Sequence, residues 1–127
     1  GAVNDSGNTY VAYCWAEIAG FSKFGSYTGN GSSDGPFVYL GFRPEFILWK
    51  RTTLESWIII DTSRSPFNVA DKILYPFSTA AEITSNRVDI LSNGFKIRTT
   101  DADTNGSSAT YIYMAFAENP FKNANAR

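Results

Sequence analysis

The residues of this chain that could do chemistry are few, because histidine is absent and there is a single cysteine. Without histidine the chain lacks the commonest general base and the commonest metal ligand. Cys14 lies in an apolar stretch without an activating neighbour, so we expect a buried, unreactive thiol. The sequence also contains neither a Gly-x-Ser-x-Gly nucleophile elbow nor a Gly-rich phosphate loop with lysine. These features predict a protein that is not an enzyme.

Carboxylates remain as candidate catalytic groups, because a glycan hydrolase needs two of them facing each other across a groove. Glu17 and Glu118 each follow a similar apolar stretch. The favoured interpretation is that each ends a strand and forms a hydrogen bond or ion pair there. A glycan hydrolase is kept as a third alternative.

One segment resembles the start of a calcium-binding loop. Asp101, Asp103 and Asn105 place oxygen donors at alternate positions, and Gly106 follows. The acidic residue expected at the twelfth position is missing, since Ile112 stands there. We therefore expect no cofactor and favour a polar hairpin loop, with Ca²⁺ as the alternative.

A sugar ligand needs an aromatic ring to stack against its C–H face and polar groups to bind its hydroxyls. The Gly/Ser/Asn-rich segment 24–36, which we predict to be a surface loop, contains Tyr27, Asn30 and Asp34. Trp49 and Trp57 lie on predicted strands that could be close to it. These five residues form the candidate ligand site, and the competing interpretation places both tryptophans in core or intersubunit packing.

The composition predicts one small β-rich domain with contacts beyond its own core. The chain has 127 residues, of which 43% are hydrophobic, 16% aromatic and 18% charged. The charged share is below the ~25% of ordinary domains, which suggests aromatic contact patches. A net charge of −1 without a basic stripe argues against nucleic acid. No apolar run is long enough to insert into a membrane.

Short apolar runs separated by Gly, Ser, Asn and Asp predict an all-β fold, an antiparallel β-sandwich that is jelly-roll-like with little helix. We expect the run at 9–16 to be a strand buried on both faces, since it has almost no polar side chains. A single helical turn is expected at 68–74. Further strands are predicted at 37–41, 46–51, 56–62 and 110–117.

The clearest local pattern is the hairpin predicted at 88–99. Asn93-Gly94 between two alternating runs is typical of a two-residue type I′ turn. That turn places Ile90 opposite Ile97 on the inner face and Asp89 opposite Arg98 on the outer face.

The chain also contains an internal echo. Residues 9–17, TYVAYCWAE, match residues 110–118, TYIYMAFAE, without gaps and 101 positions apart. We interpret the chain as a single β-sandwich domain over 1–127, in which 1–20 is the closing strand of a preceding repeat unit and 21–127 is one full unit. The alternative is two ordinary aromatic strands that match by chance.

Several strings resemble a domain found in tail fibre proteins of tailed bacteriophages. They are TYVAYCWAEIAGFSKFGSYTGNG at 9–31, GFRP at 41–44, LSNGFK at 91–96 and AFAENPFK at 115–122. The resemblance covers nearly the whole chain. It implies a virion component near the host-facing end of a fibre. This component would be a homotrimer, and it would contact other virion tail proteins. It supplies no assigned catalytic or ligand residues.

Together these patterns predict a non-catalytic tail fibre module that contributes to host-surface recognition, with a bacterial surface glycan or other receptor as its partner. Several copies would add avidity. The alternative is a purely structural virion module used for trimerisation or for capping a fibre.

Overall fold

The computed structural model describes residues 3–53 and 55–119. Within this part of the chain there are eight strands and one short helix. They are β1 (Ser22–Thr28), β2 (Phe37–Tyr39), β3 (Pro44–Arg51), β4 (Ile58–Asp61), β5 (Ala70–Ile73), β6 (Ile83–Leu91), β7 (Gly94–Ile97), α1 (Ala102–Asn105) and β8 (Thr110–Ala117).

The strands form two four-stranded antiparallel sheets, so the predicted jelly-roll-like β-sandwich is confirmed. Sheet A has the order β1-β8-β3-β4, and sheet B has the order β2-β7-β6-β5. At one side the sheets are joined, because Ile59 and Leu74 exchange backbone hydrogen bonds of 2.9 and 3.2 Å. β1 and β2 are the edge strands at the other side. In the described residues no helix is long and apolar enough to cross a bilayer.

The core lies between the two sheets because alternate residues of each strand point inward. Its large fully buried side chains are aromatic and branched aliphatic, which fill the space between two sheets well. Those from sheet A are Ile47, Trp49, Ile58, Ile60 and Tyr111, and those from sheet B are Ile73, Val88, Phe95 and Ile97.

The predicted hairpin exists as β6 and β7, but its predicted register is wrong by two residues. Leu91 pairs with Gly94 and Ile90 with Phe95, so the turn is Ser92-Asn93 and Gly94 belongs to the strand. Gly94 is required there by β2, since an added Cβ would collide with the Val38 carbonyl oxygen. A shift by an even number keeps each side chain on its face. Ile90 and Ile97 therefore remain inside, and Arg98 still binds Asp89 at 3.0 Å.

The strand predicted at 9–16 is wrong, because these residues form no strand and lie exposed. Val11 is 78% exposed, Tyr13 77% and Trp15 55%. The expected buried thiol is likewise wrong, since Cys14 is exposed. The physical reason is that the central position of sheet A, between β1 and β3, is taken by β8, whose sequence the segment repeats.

Three other segments differ from expectation. The predicted loop 24–36 begins as strand β1, which pairs with β8 along seven residues. The helical turn predicted at 68–74 is instead β5, an edge strand paired with β6. In the described part of the chain the one helix is α1, where a polar hairpin loop was expected. In the first two of these segments tertiary pairing overrides a weak local preference.

Candidate functional site

β2 presents two aromatic rings on the outer surface of sheet B. Phe37 is 45% exposed and Tyr39 is 59% exposed, while Val38 between them is buried. Phe37 lies opposite Lys96 of β7, and Tyr39 lies opposite Gly94. Because Gly94 has no side chain, the Phe37 ring packs directly over it. The two rings therefore lie on one open surface.

Charged side chains border these rings. Lys96 Nζ contacts Asp34 Oδ1 at 2.8 Å, and Arg98 Nη1 lies 4.0 Å from the same oxygen. The Asp34 side chain is 82% exposed. The hydrogen bond from Lys96, and then its charge, lower the pKa of the Asp34 carboxyl below its ordinary value. We call Asp34, Phe37, Tyr39, Lys96 and Arg98 together the β2 face.

A cation also contacts the free edge of the β2 face. Lys23 Nζ donates a hydrogen bond of 3.1 Å to the Tyr39 carbonyl oxygen and lies 5.2 Å from the centre of its ring. A cation over an aromatic ring is attracted by the negative face of the ring. Tyr39 therefore has one side held by Lys23 while more than half of its surface remains open.

The loop that supplies Asp34 is fixed by a buried amide. Asn105 is 0% exposed, and its Nδ2 donates to the carbonyl oxygens of Ser32 and Thr99 at 2.7 and 2.8 Å. Its Oδ1 accepts from the Asn30 backbone N–H at 2.9 Å. Such a satisfied buried network holds a loop in one conformation. Asp34 is thus presented by a loop with internal support.

Of the five residues predicted to bind a ligand, the structure leaves only Asp34 on the β2 face. Trp49 is fully buried in the core, which confirms the packing interpretation and removes it from any surface site. Asn30 uses its side chain within its own loop, where Nδ2 donates to the Asp34 carbonyl oxygen at 3.0 Å.

Tyr27 is also a core residue and not a stacking platform. Its ring stacks on Tyr111 with centroids 4.9 Å apart, and its hydroxyl donates to the Thr104 carbonyl oxygen at 2.8 Å. Burial raises the pKa of Tyr27 well above its ordinary value. The phenol is therefore held neutral between the sheets, and its predicted role as an exposed ring is wrong.

Trp57 lies on the opposite side of the sandwich, in a groove of sheet A. The groove is lined by Phe24, Gly25, Trp57, Ile112, Tyr113 and Met114. It continues into a cluster in which the rings of Phe24 and Phe46 lie 5.8 and 6.2 Å from that of Phe116. We call this the apolar face of sheet A. Its lining is suited to an apolar partner more than to sugar hydroxyls.

The residues predicted to bind calcium have other partners. The guanidinium of Arg87, almost fully buried, contacts the carboxylates of both Asp101 and Asp103, the latter at 3.2 Å. Asn105 is committed to the loop network described above. In residues 3–53 and 55–119 no group of three acidic, histidine or cysteine side chains could hold a metal ion. Asp101 and Asp103 therefore form a structural ion pair with Arg87.

The two glutamates kept as catalytic candidates lie at the ends of the echoed stretches. Glu17 precedes β1 and Glu118 follows β8, and both are exposed. Neither belongs to the β2 face.

The sequence contained a signal for the two rings that were missed. The alternation Phe-Val-Tyr at 37–39 is typical of a strand with one buried and one open side. The outward side chains of this predicted strand therefore belong with the Gly-rich loop before it as candidate ligand residues.

No curated protein and no solved structure matches this chain. A family model described as a domain of unknown function (DUF7483) matches residues 1–120. The chain therefore belongs to the DUF7483 family.

Proposed function

We propose that this chain is a non-catalytic module of a bacteriophage tail fibre that contributes to recognition of the bacterial surface, with a glycan as ligand. The observation that carries the proposal is the β2 face, where two open rings stand beside exposed charged groups. The resemblance of the sequence strings to tail fibre domains supports the virion setting. The ligand site moves from the loop residues first expected to the adjoining strand.

The chemistry of the β2 face suits a sugar better than an apolar peptide. Phe37 and Tyr39 offer rings to the C–H faces of a saccharide. Asp34, Lys96 and Arg98 offer an acceptor and donors to its hydroxyl or acidic groups. The site is open and exposed, so one copy would bind weakly, and several copies on one fibre would add avidity.

Replacing Phe37 or Tyr39 with alanine should weaken glycan binding about 10-fold per ring, since loss of one stacking contact corresponds to roughly 1.4 kcal/mol. The measurement is a glycan array with the full chain coupled to beads, followed by titration of the best sugar. Phe67→Ala is the matched control, because Phe67 is 83% exposed and lies between β4 and β5.

All three variants must remain folded in denaturant unfolding, and Phe37→Ala should cost more than the other two, about 1 kcal/mol, because its ring packs over Gly94. Equal binding by the Tyr39→Ala chain and the Phe67→Ala chain would contradict the β2 site. Binding to no glycan, by a chain that is folded, would remove the recognition proposal.

A second candidate function is a structural module for fibre trimerisation, and the apolar face of sheet A favours it. Monomeric proteins rarely expose large contiguous apolar patches. Copies packed through this face would bury Phe24, Phe116 and Met114, which are half-buried in the single chain.

Light scattering of the full chain tests this second candidate. We expect a trimer that Met114→Lys converts to monomer, whereas Thr110→Lys, on the same strand but exposed and polar, should leave it unchanged. A monomer at concentrations up to about 100 μM would contradict trimerisation, since a specific interface should hold in that range.

A further inference from the structure

Residues 5–10 adopt the same turn as residues 106–111. The Asp5 backbone N–H donates to the Tyr10 hydroxyl at 2.9 Å, and the Gly106 N–H donates to the Tyr111 hydroxyl at 2.7 Å. In both places donor and tyrosine are five residues apart, and the two places are separated by the same 101 positions as the sequence echo.

Two further features of the turn recur at the same separation. The Asn8 N–H bonds the Asp5 carbonyl oxygen at 3.3 Å, and the Ala109 N–H bonds that of Gly106 at 3.1 Å. The residue before each of these donors has a positive φ, +84° at Gly7 and +59° at Ser108. A non-glycine residue in this region is uncommon, so the coincidence is specific.

The two copies differ in the course of the chain after the turn. After Tyr111 the chain runs as β8 between β1 and β3, with Ala115 fully buried. After Tyr10 the chain is exposed, although Cys14 and Ala16 stand where β8 has the inward Ala115 and Ala117. Small side chains at these positions suit a strand that packs under another sheet. The exposed segment thus has the sequence of a central strand without a sheet around it.

Residues 5–17 cannot pair with β1 of their own unit in the register that β8 has with β1. Ile18 and Ser22 form an antiparallel bridge, and continuing that pairing would place Ala12 opposite Thr28. In sheet A the residue opposite Thr28 is Thr110, whose counterpart in the echo is Thr9. The registers differ by three, and an odd shift turns every side chain to the wrong face.

We infer that residues 5–17 form the closing strand of a neighbouring unit of this same fold, where they lie between the strands equivalent to β1 and β3. Units would then be joined head to tail by this strand. It packs in the sheet of one unit and continues along the chain into β1 of the next unit. This inference is independent of the proposed function, since it concerns only how units are linked.

The single cysteine makes the inference testable. We would replace residues 1–3 with a second copy of residues 21–104, so that residues 4–17 follow the added copy at the position of 105–118. The added copy contains no cysteine, so Cys14 remains the only thiol. A second version carries Ala12→Tyr, which restores the ring that β8 has at Tyr113 and guards against a cavity.

In the extended chain we expect Cys14 to react with a soluble thiol reagent at least ~100-fold more slowly than in the original chain, because it becomes a buried strand residue. Tyr10→Asp should restore fast labelling in the extended chain, since it places a charge at the position of fully buried Tyr111. In the original chain Tyr10 is 46% exposed, so there the same substitution should change neither stability nor labelling.

Labelling of Cys14 in both extended chains at the rate of the original chain would overturn the inference. Protection that persists after Tyr10→Asp would also overturn it, because the thiol would then be shielded by something other than the β8 position. Neither result depends on glycan binding, so failure here is distinguishable from failure of the proposed function.

Discussion

Replacing Trp49 with alanine should lower the free energy of unfolding by about 3–5 kcal/mol, the cost of removing a large buried aromatic side chain. Trp49 is fully buried on β3, near the centre of sheet A. Since small domains are stable by only about 5–15 kcal/mol, this change removes a large share of the total. Denaturant unfolding followed by circular dichroism is the measurement.

Trp49→Phe is the matched control and should cost much less, about 1 kcal/mol, because it keeps an aromatic ring and removes the buried indole N–H. The Trp49 Nε1–H is buried without a hydrogen-bond partner among the described residues. Losing an unpaired buried donor offsets part of the lost packing. If the Trp49→Ala chain were as stable as the original but unable to bind its ligand, Trp49 would be a ligand-binding surface residue and not a core residue.

Much of the fold could be predicted because its strands alternate clearly. Bulky β-forming residues occur at the expected spacing in two stretches. The first, Trp57-Ile58-Ile59-Ile60, contains the start of β4, and the second, Thr110–Ala117, is β8. The predicted hairpin register was wrong because the turn residues alone do not determine the strand pairing. Gly94 serves the close approach of β2, which is a contact distant in sequence.

The first strand shows why local pattern has a limit. Residues 9–16 and β8 have the same apolar and aromatic character, yet only β8 lies in the sheet. Two segments competing for one position cannot be ranked by propensity. The echo is visible in the sequence, whereas the turn shared by Tyr10 and Tyr111 is seen only in the structure.

The candidate site was predicted only in part for a related reason. Asp34 was found because it stands in a polar Gly-rich loop, but Tyr27 of the same segment points into the core. Which side chains of β1 point into the core depends on its pairing with β8. A segment so rich in glycine and serine has little hydrophobic periodicity of its own. Phe37 and Tyr39 became candidates only when the direction of β2 was known.

Replacing Asn105 with alanine should cost about 2–4 kcal/mol, because it leaves several buried backbone groups without partners. The Asn105 amide serves the carbonyl oxygens of Ser32 and Thr99 and the N–H of Asn30, and it is fully buried. Glycan binding through Asp34 should weaken with it, since the loop loses its fixed conformation. Hydrogen exchange of the Asn30 and Gly31 amides should speed up by at least ~10-fold, reporting the release of the loop directly.

Asn4→Ala is the matched control, because Asn4 holds the equivalent place in the echo but is exposed. It should leave stability and exchange unchanged in the chain as it stands. Asn105→Asp should cost at least as much as Asn105→Ala, since a buried carboxylate cannot donate to Ser32 or Thr99 and places negative charge against their carbonyl oxygens. If Asn105→Ala accelerated exchange throughout both sheets equally and not first in the loop, the amide would stabilise the whole sandwich without a particular role in presenting Asp34.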